Sequence, residues 1–410
     1  NSDTEGKKVT AMMTLEKFEE ASELVKKVTN PTKLVYSEYL SEETGGKIYL
    51  KPENMQHTGA YKIRGAYYKI STLTEEEKAK GLITASAGNH AQGVAYAAKL
   101  FGCKATIVMP TVTPLIKVNR TKNLGADVVL YGDVYDDACN RAYDLAEEHG
   151  YTFVHPFDDE NVIAGQGTIG LELLEELPDV DVVIVPVGGG GLISGVAFAI
   201  KSLKPNVKVY GVQASGAPSM LNSITNQKIE RLNSVSTIAD GIAVKEPGIH
   251  TYDICNKYVD GIVTVTDDEI STAILTLIEQ QKLIAEGAGA VSVAAAMFNK
   301  VPVKGKKVIC LVSGGNIDVT ILSRVINRGL LKTGRSYTLT VELADRPGQL
   351  VGVTGIIARM GANVISVHHE RAGSKDITGC YLQVVMETRN HEHIEKIRQE
   401  LIREGYHVIS

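Results

Sequence analysis

Apolar, β-branched runs alternate with segments of helical periodicity over most of the chain. The runs are GLITAS (81–86), KATIVMP (104–110), ADVVLYG (126–132), DVVIVPV (181–187), VKVYGVQ (207–213) and KKVICLVS (306–313). Amphipathic stretches such as NHAQGVAYAAKLFG (89–102) and YDDACNRAYDLAEEHG (135–150) lie between them. Runs that are apolar at successive positions predict strands covered on both faces, as in the parallel sheets of a wound α/β fold. There are more runs than one small sheet needs. Two parallel-sheet subdomains with a cleft between them are therefore expected, the smaller lobe spanning about 55–158.

Near residue 330 the pattern changes. NRGLLKTGRS (327–336) is short, basic and glycine-bearing, and residues 330–335 read as a linker. Beyond it, alternating runs and two helical stretches follow a βαββαβ order, enough for a small independent α+β domain over 336–410. The larger unit is then 13–329. Residues 1–12 are expected to be a tag remnant or a disordered arm, with Met12 or Met13 as the natural start.

Composition narrows the function classes. The 410 residues carry a net charge of −5, with 44% hydrophobic and 22% charged residues. This is an ordinary globular balance and gives no electrostatic case for nucleic acid or a membrane surface. No apolar run approaches the roughly 20 residues of a membrane span. The five cysteines are scattered without CxxC spacing. They read as reduced and structural, with no metal site, in a cytoplasmic protein.

Four segments carry candidate chemistry. In TGAYKIRGA (58–66), Lys62 stands among small and aromatic residues with Arg64 nearby in sequence. Burial and neighbouring positive charge are what make a lysine amine nucleophilic, although a lysine in the first turn of a solvated helix reads the same way. In VGGGGLISG (187–195), an apolar strand runs through glycines into a helix, the recipe for cradling a phosphate on bare N–H groups. No Walker lysine follows, and the next strand ends in Gln213 where a dinucleotide site wants an acid. A single phosphate monoester remains, or a tight turn without ligand. ASAGNHAQG (85–93) also follows a strand, and Ser86, Asn89 and the helix-start N–H groups suit a carboxylate. Ser and Asn are also ordinary helix caps, and His90 alone reads as structural. In CLVSGGNID (310–318), Ser313 stands where a buried strand meets a cleft, or caps the next helix. Together these segments fit one cofactor, pyridoxal phosphate, with its aldehyde on Lys62 and its phosphate on the glycines.

Over residues 20–330 the chain resembles the fold-type II (tryptophan synthase β-like) pyridoxal-phosphate enzymes of the threonine dehydratase group. The resemblance rests on KPENMQHTGAYKIRGA (51–66), ASAGNH (85–90), GGGGL (188–192), TIADGIAV (237–244), EGAGA (286–290) and SGGN (313–316), all in family order. DRPGQL (345–350) and GANVISV (361–367) resemble a single ACT domain. The resemblance implies that Lys62 bonds the cofactor aldehyde and, once released, removes the substrate Cα proton. It implies that Tyr61 lies against the ring region and Asn89 bonds the ring's 3′ oxygen. Ser86, with Ala87, Gly88, Asn89 and His90, would bind the substrate carboxylate. Gly188, Gly189, Gly190, Gly191 and Leu192 would hold the phosphate, Ser313 would face the pyridine nitrogen, and Gly241 and Glu286 would line the site.

A serine opposite the pyridine nitrogen cannot stabilise a pyridinium as an aspartate would. Prompt loss of a β-leaving group is then favoured. The implied reaction is β-elimination of water from L-threonine or L-serine, giving 2-oxobutanoate or pyruvate and ammonia. The alternative in the same fold is a threonine-synthase-like or sulfhydrylase-like β-replacement.

Some positions depart from the family. The usual Ser-Phe-Lys is Ala60-Tyr61-Lys62, and Ala87 replaces the serine that racemases use as a second base. Gln213 and Ser219 stand where relatives place divalent-cation ligands, so no divalent site is expected, while a monovalent cation stays open. The ACT-like part would bind an amino-acid effector, isoleucine or valine, near Gly348 and Asn363, in a homodimer or homotetramer; a purely structural dimerisation domain is the other reading.

Overall fold

A computed structural model describes residues 13–410, so the expected arm at 1–12 lies outside the described residues. The chain forms two compact units, one ending at Asp318 and one running from Val319 to Ser410.

The first unit contains the two expected sheets. One has six strands in the order Val35–Ser37, Lys47–Pro52, Lys307–Val312, Val182–Pro186, Lys208–Ala214, Gly261–Val265. Its pairings are parallel except for the antiparallel Val35–Ser37 edge. The other has four parallel strands, in the order Asp127–Leu130, Ala105–Met109, Leu82–Ala85, Thr152–Phe153. Its inner strands and Val182–Pro186 are buried at every position, as their unbroken apolar runs require.

What places the site is the packing of three helices, Ile63–Ser71, Glu160–Glu176 and Gly191–Leu203. They meet through glycines that let backbones touch. A Cβ on Gly165 would lie 2.5 Å from the Arg64 carbonyl oxygen, and one on Gly195 would lie 2.3 Å from that of Ile163. The central helix thus holds the starts of the other two side by side. Lys62 precedes one start and the glycine run forms the other.

A buried ion network anchors the same corner. The Arg64 guanidinium, fully buried, bonds Glu53 at 2.6 Å and Glu172 at 2.8 Å, and Lys51 joins Glu172 and Glu176. Burial opposes charge on Glu172, but Arg64 and then Lys51 outweigh it and hold the carboxyl down to about 2. Arg64 therefore points away from Lys62 into carboxylates. The expectation that it would help to depress the lysine is corrected by its partners.

The second unit folds in the expected βαββαβ order. Strand Ser336–Ala344 lies between His407–Val408 and Gly379–Glu387, and Asn363–Glu370 forms the far edge, all pairings antiparallel. Helices Gln349–Arg359 and His391–Arg403 supply Val353, Ile356, Ile357, Ile397 and Leu401 to its core. Residues 330–335, read as a linker, are the last turn of the helix Val319–Lys332 and the turn after it.

Candidate active site

Lys62 sits just before the helix Ile63–Ser71 and is half-buried. Its Nζ donates to the Pro156 carbonyl at 2.8 Å. Desolvation by burial alone brings its amine down to about 8 from 10.5, so a useful fraction is an unprotonated nucleophile near neutral pH. The helix Asn89–Phe101 presses on it from one side, where a Cβ on Gly93 would come within 3.1 Å of Lys62 Cβ.

The residue after Pro156 completes the connection to the glycine run. The Phe157 ring would be 2.2 Å from a Cβ on Gly189, and its Cα 3.0 Å from one on Gly191. Gly190 has φ +99° and precedes the helix Gly191–Leu203. Only glycine fits this loop, whose N–H groups open a buried helix, so the arrangement offers an anion cradle within one dipeptide of the lysine amine. His155 fixes that dipeptide: its Nδ1 accepts from the Phe157 and Asp158 N–H groups at 3.1 and 2.8 Å.

The other segments converge on the same place. An isolated bridge pairs Ala60 with Gly314, and the Tyr61 N–H donates to the Ser313 carbonyl at 3.1 Å. Ser313, almost fully buried, thus stands beside the lysine loop. Ser86 Oγ accepts from the N–H groups of Gly88 and Ala91, so it does cap the helix start. Its own hydrogen and the N–H groups of Asn89 and His90 are what this corner offers a carboxylate. His90 is buried with Nε2 2.9 Å from the Val154 carbonyl oxygen, and burial, then Lys62, lowers it to about 3. It is neutral at working pH and ties the loop to the small sheet.

Asn89 Nδ2 donates to Glu286 Oε1 at 2.7 Å. Burial pushes the Glu286 carboxyl up to about 7. Gly241 faces it, since a Cβ there would be 3.1 Å from Glu286 Oε1. Burial, and then the Glu286 charge, raises the Tyr61 phenol. The lysine, glycine-run, ASAGNH and SGGN segments thus meet in one cluster with Gly241 and Glu286. Three members had no role assigned from the sequence: Pro156, Phe157 and Asn316, the last residue of SGGN. Gln213 and Ser219 are buried, with Gln213 Nε2 3.5 Å from Ser219 Oγ.

A lysine amine freed by burial, a bare-backbone glycine loop at a helix start, a carboxamide donor and a strand-end serine are the donor set that pyridoxal phosphate requires, so the residues fit that group. In the second unit, Gly348 has φ +90° ahead of the helix Gln349–Arg359, and Asn363 opens the edge strand Asn363–Glu370. Asp345, His369 and Cys380 also meet there within 4.8 Å, a cluster invisible in the cysteine spacing. Arg371 already holds the Asp345 carboxylate at 2.8 Å.

Residues 25–314 match the family described as pyridoxal-phosphate dependent enzyme, and residues 337–405 match the ACT domain. The chain is 54% identical over 398 residues to L-threonine ammonia-lyase of Thermotoga maritima, covering 97% of this chain and 99% of that one. It is 47% identical to L-threonine ammonia-lyase of Geobacter sulfurreducens, covering 95% and 97%. Among solved structures, the processed form of threonine deaminase isoform 2 from Solanum lycopersicum superposes with a TM-score of 0.74 at 43% identity, over 77% of this chain and 88% of that one.

Proposed function

The chain belongs to the pyridoxal-phosphate dependent enzymes and carries a C-terminal ACT domain, and from that premise we propose that it is a threonine ammonia-lyase. It deaminates L-threonine, and L-serine alongside, to the 2-oxo acid and ammonia by loss of the β-hydroxyl as water. The observation that carries this reading is Lys62, with its depressed amine, held through Pro156 and Phe157 against the glycine cradle in a chain 54% identical to a named L-threonine ammonia-lyase.

The bound cofactor supplies the electron sink that makes the substrate Cα–H acidic. The chain's own residues do the rest. Lys62 would hold the cofactor's aldehyde end, and its amine near pKa 8 suits it to take the proton from the substrate Cα. The N–H groups of Gly188, Gly189, Gly190, Gly191 and Leu192 would hold the cofactor's phosphate. Ser86 and the N–H groups from Ala87 to His90 hold the substrate carboxylate, which fixes the Cα–H bond toward the lysine. Asn89 would donate to the cofactor's ring oxygen and Ser313 would meet its ring nitrogen, with Tyr61, Gly241 and Glu286 lining the site. Alanine at 87 holds no transferable proton, so no second base delivers a proton to the opposite face and elimination is not diverted to racemisation.

The ACT domain binds an amino-acid effector, and isoleucine or valine is our choice, at Gly348 and Asn363 in a homodimer or homotetramer. The unpaired cysteines fit a reducing, cytoplasmic setting. The test is keto-acid release from L-threonine and L-serine, with and without a thiol acceptor. Keto acid without acceptor, abolished in Lys62→Ala, supports the lyase; product formed only with acceptor would assign β-replacement instead.

A further inference from the structure

Asn316 Nδ2 lies 2.7 Å from the Thr58 carbonyl oxygen and 2.8 Å from Asn89 Oδ1. A backbone carbonyl only accepts, so the Asn316 atom facing it is the amide nitrogen. The second hydrogen of that nitrogen points at Asn89, which must answer with its oxygen. Asn89 therefore turns its own nitrogen the other way, to 2.7 Å from Glu286. A single acceptor-only carbonyl thus dictates, through one side chain, which end of the Asn89 carboxamide faces the site. Room for Asn316 is made at Gly59, where φ is +75° and a Cβ would lie 2.4 Å from Asn316 Oδ1.

Orientation matters because the two ends of a carboxamide are opposite in character. One hydrogen of Asn89 Nδ2 goes to Glu286; the other is left to donate. Rotated by a half-turn, Asn89 would present its oxygen to an ionised ring oxygen, acceptor against acceptor, and its nitrogen to the Asn316 N–H, donor against donor.

We propose that Asn316 is a positioning residue: it takes its bearing from the Thr58 carbonyl and locks Asn89 with its N–H groups toward Glu286 and the cofactor's ring oxygen. This rests on the cofactor reading above. Asn316 touches neither substrate nor cofactor in this role and acts through Asn89.

The test compares Asn316→Ala, Asn316→Asp, Asn89→Ala and the double variant Asn316→Ala/Asn89→Ala with the full-length wild type. Each is stripped and retitrated with pyridoxal phosphate, reading affinity, the visible absorption band of the bound cofactor, and the thermal midpoint. Aspartate offers no hydrogen to Thr58 or Asn89, so Asn89 turns over. Asn316→Asp and Asn316→Ala should each lose about ten-fold in affinity, as for one hydrogen bond to an ionised acceptor, with the band moved in the same direction as in Asn89→Ala. In the Asn89→Ala background, Asn316→Ala should cost nothing more. Losses that add, or an unchanged band and affinity, overturn the positioning role. If the aspartate variant does not fold, the alanine pair carries the same comparison. Failure of the cofactor reading looks different: the wild type itself would bind no pyridoxal phosphate, or would show the same band in Lys62→Ala.

Discussion

Replacing Lys62 by methionine in the cofactor-free protein should stabilise the fold at neutral pH. The wild-type amine is desolvated by burial, which holds it near 8 rather than 10.5. At about 1.4 kcal/mol for each pKa unit, that gap corresponds to about 3 kcal/mol of folded-state cost. Methionine fills similar volume without the charge but forfeits the bond to Pro156, which returns about 1 kcal/mol. The net gain is about 2 kcal/mol at pH 7. Below pH 8 both folded and unfolded chains hold the proton, and the folded chain bears the full cost. Between about 8 and 10.5 the unfolded chain still binds a proton that the folded one has released, so wild-type stability rises with pH. Above that window the cost is gone and the methionine advantage vanishes or reverses. Urea unfolding of both proteins at pH 7, 9 and 10.5 measures this, because other titrating groups cancel in the difference. A methionine variant no more stable at pH 7, or an advantage flat across pH, would refute the burial reasoning.

Other outcomes follow from the same geometry. Arg64→Leu strands the fully buried Glu53 and should cost about 3–5 kcal/mol in urea unfolding; a loss under about 1 kcal/mol would contradict the network's role. Gly189→Ala drives a methyl into the Phe157 ring and should weaken pyridoxal phosphate binding, read by titration of the stripped protein, while Lys62 stays in place. Burial raises Glu286 to about 7, so its contribution to stability is full below pH 4.5 and lost as pH climbs through 7. Glu286→Gln should therefore gain on the wild type between those limits, and a pH-independent difference would count against the raised carboxyl. Isoleucine or valine should change threonine turnover, and Asn363→Ala should abolish that response without altering the unregulated rate.

Much of this was legible in the sequence because it depends on local pattern. Apolar runs such as DVVIVPV can only be central strands, and glycines between a strand and a helix can only be a bare-backbone loop. The glycine, asparagine and serine segments announced themselves by following strands, and the lysine by its small and aromatic neighbours. Arg64 was misread because sequence proximity says nothing about direction: its partners Glu53 and Glu172 come from elements 11 and 108 residues away. The roles of Pro156, Phe157 and Asn316, the last quoted only as the end of SGGN, were missed for a related reason. Their roles arise from long-range contacts, the Lys62 amine across 94 residues and the Thr58 carbonyl across 258. The end of the helix Val319–Lys332 looked like a linker because basic residues and one glycine mask its periodicity.

The measurement closest to the central claim is borohydride reduction of the pyridoxal-phosphate-loaded enzyme followed by peptide mapping. The expected result is one modified peptide, carrying the reduced cofactor on Lys62. Label on another lysine, or none on any, would contradict it.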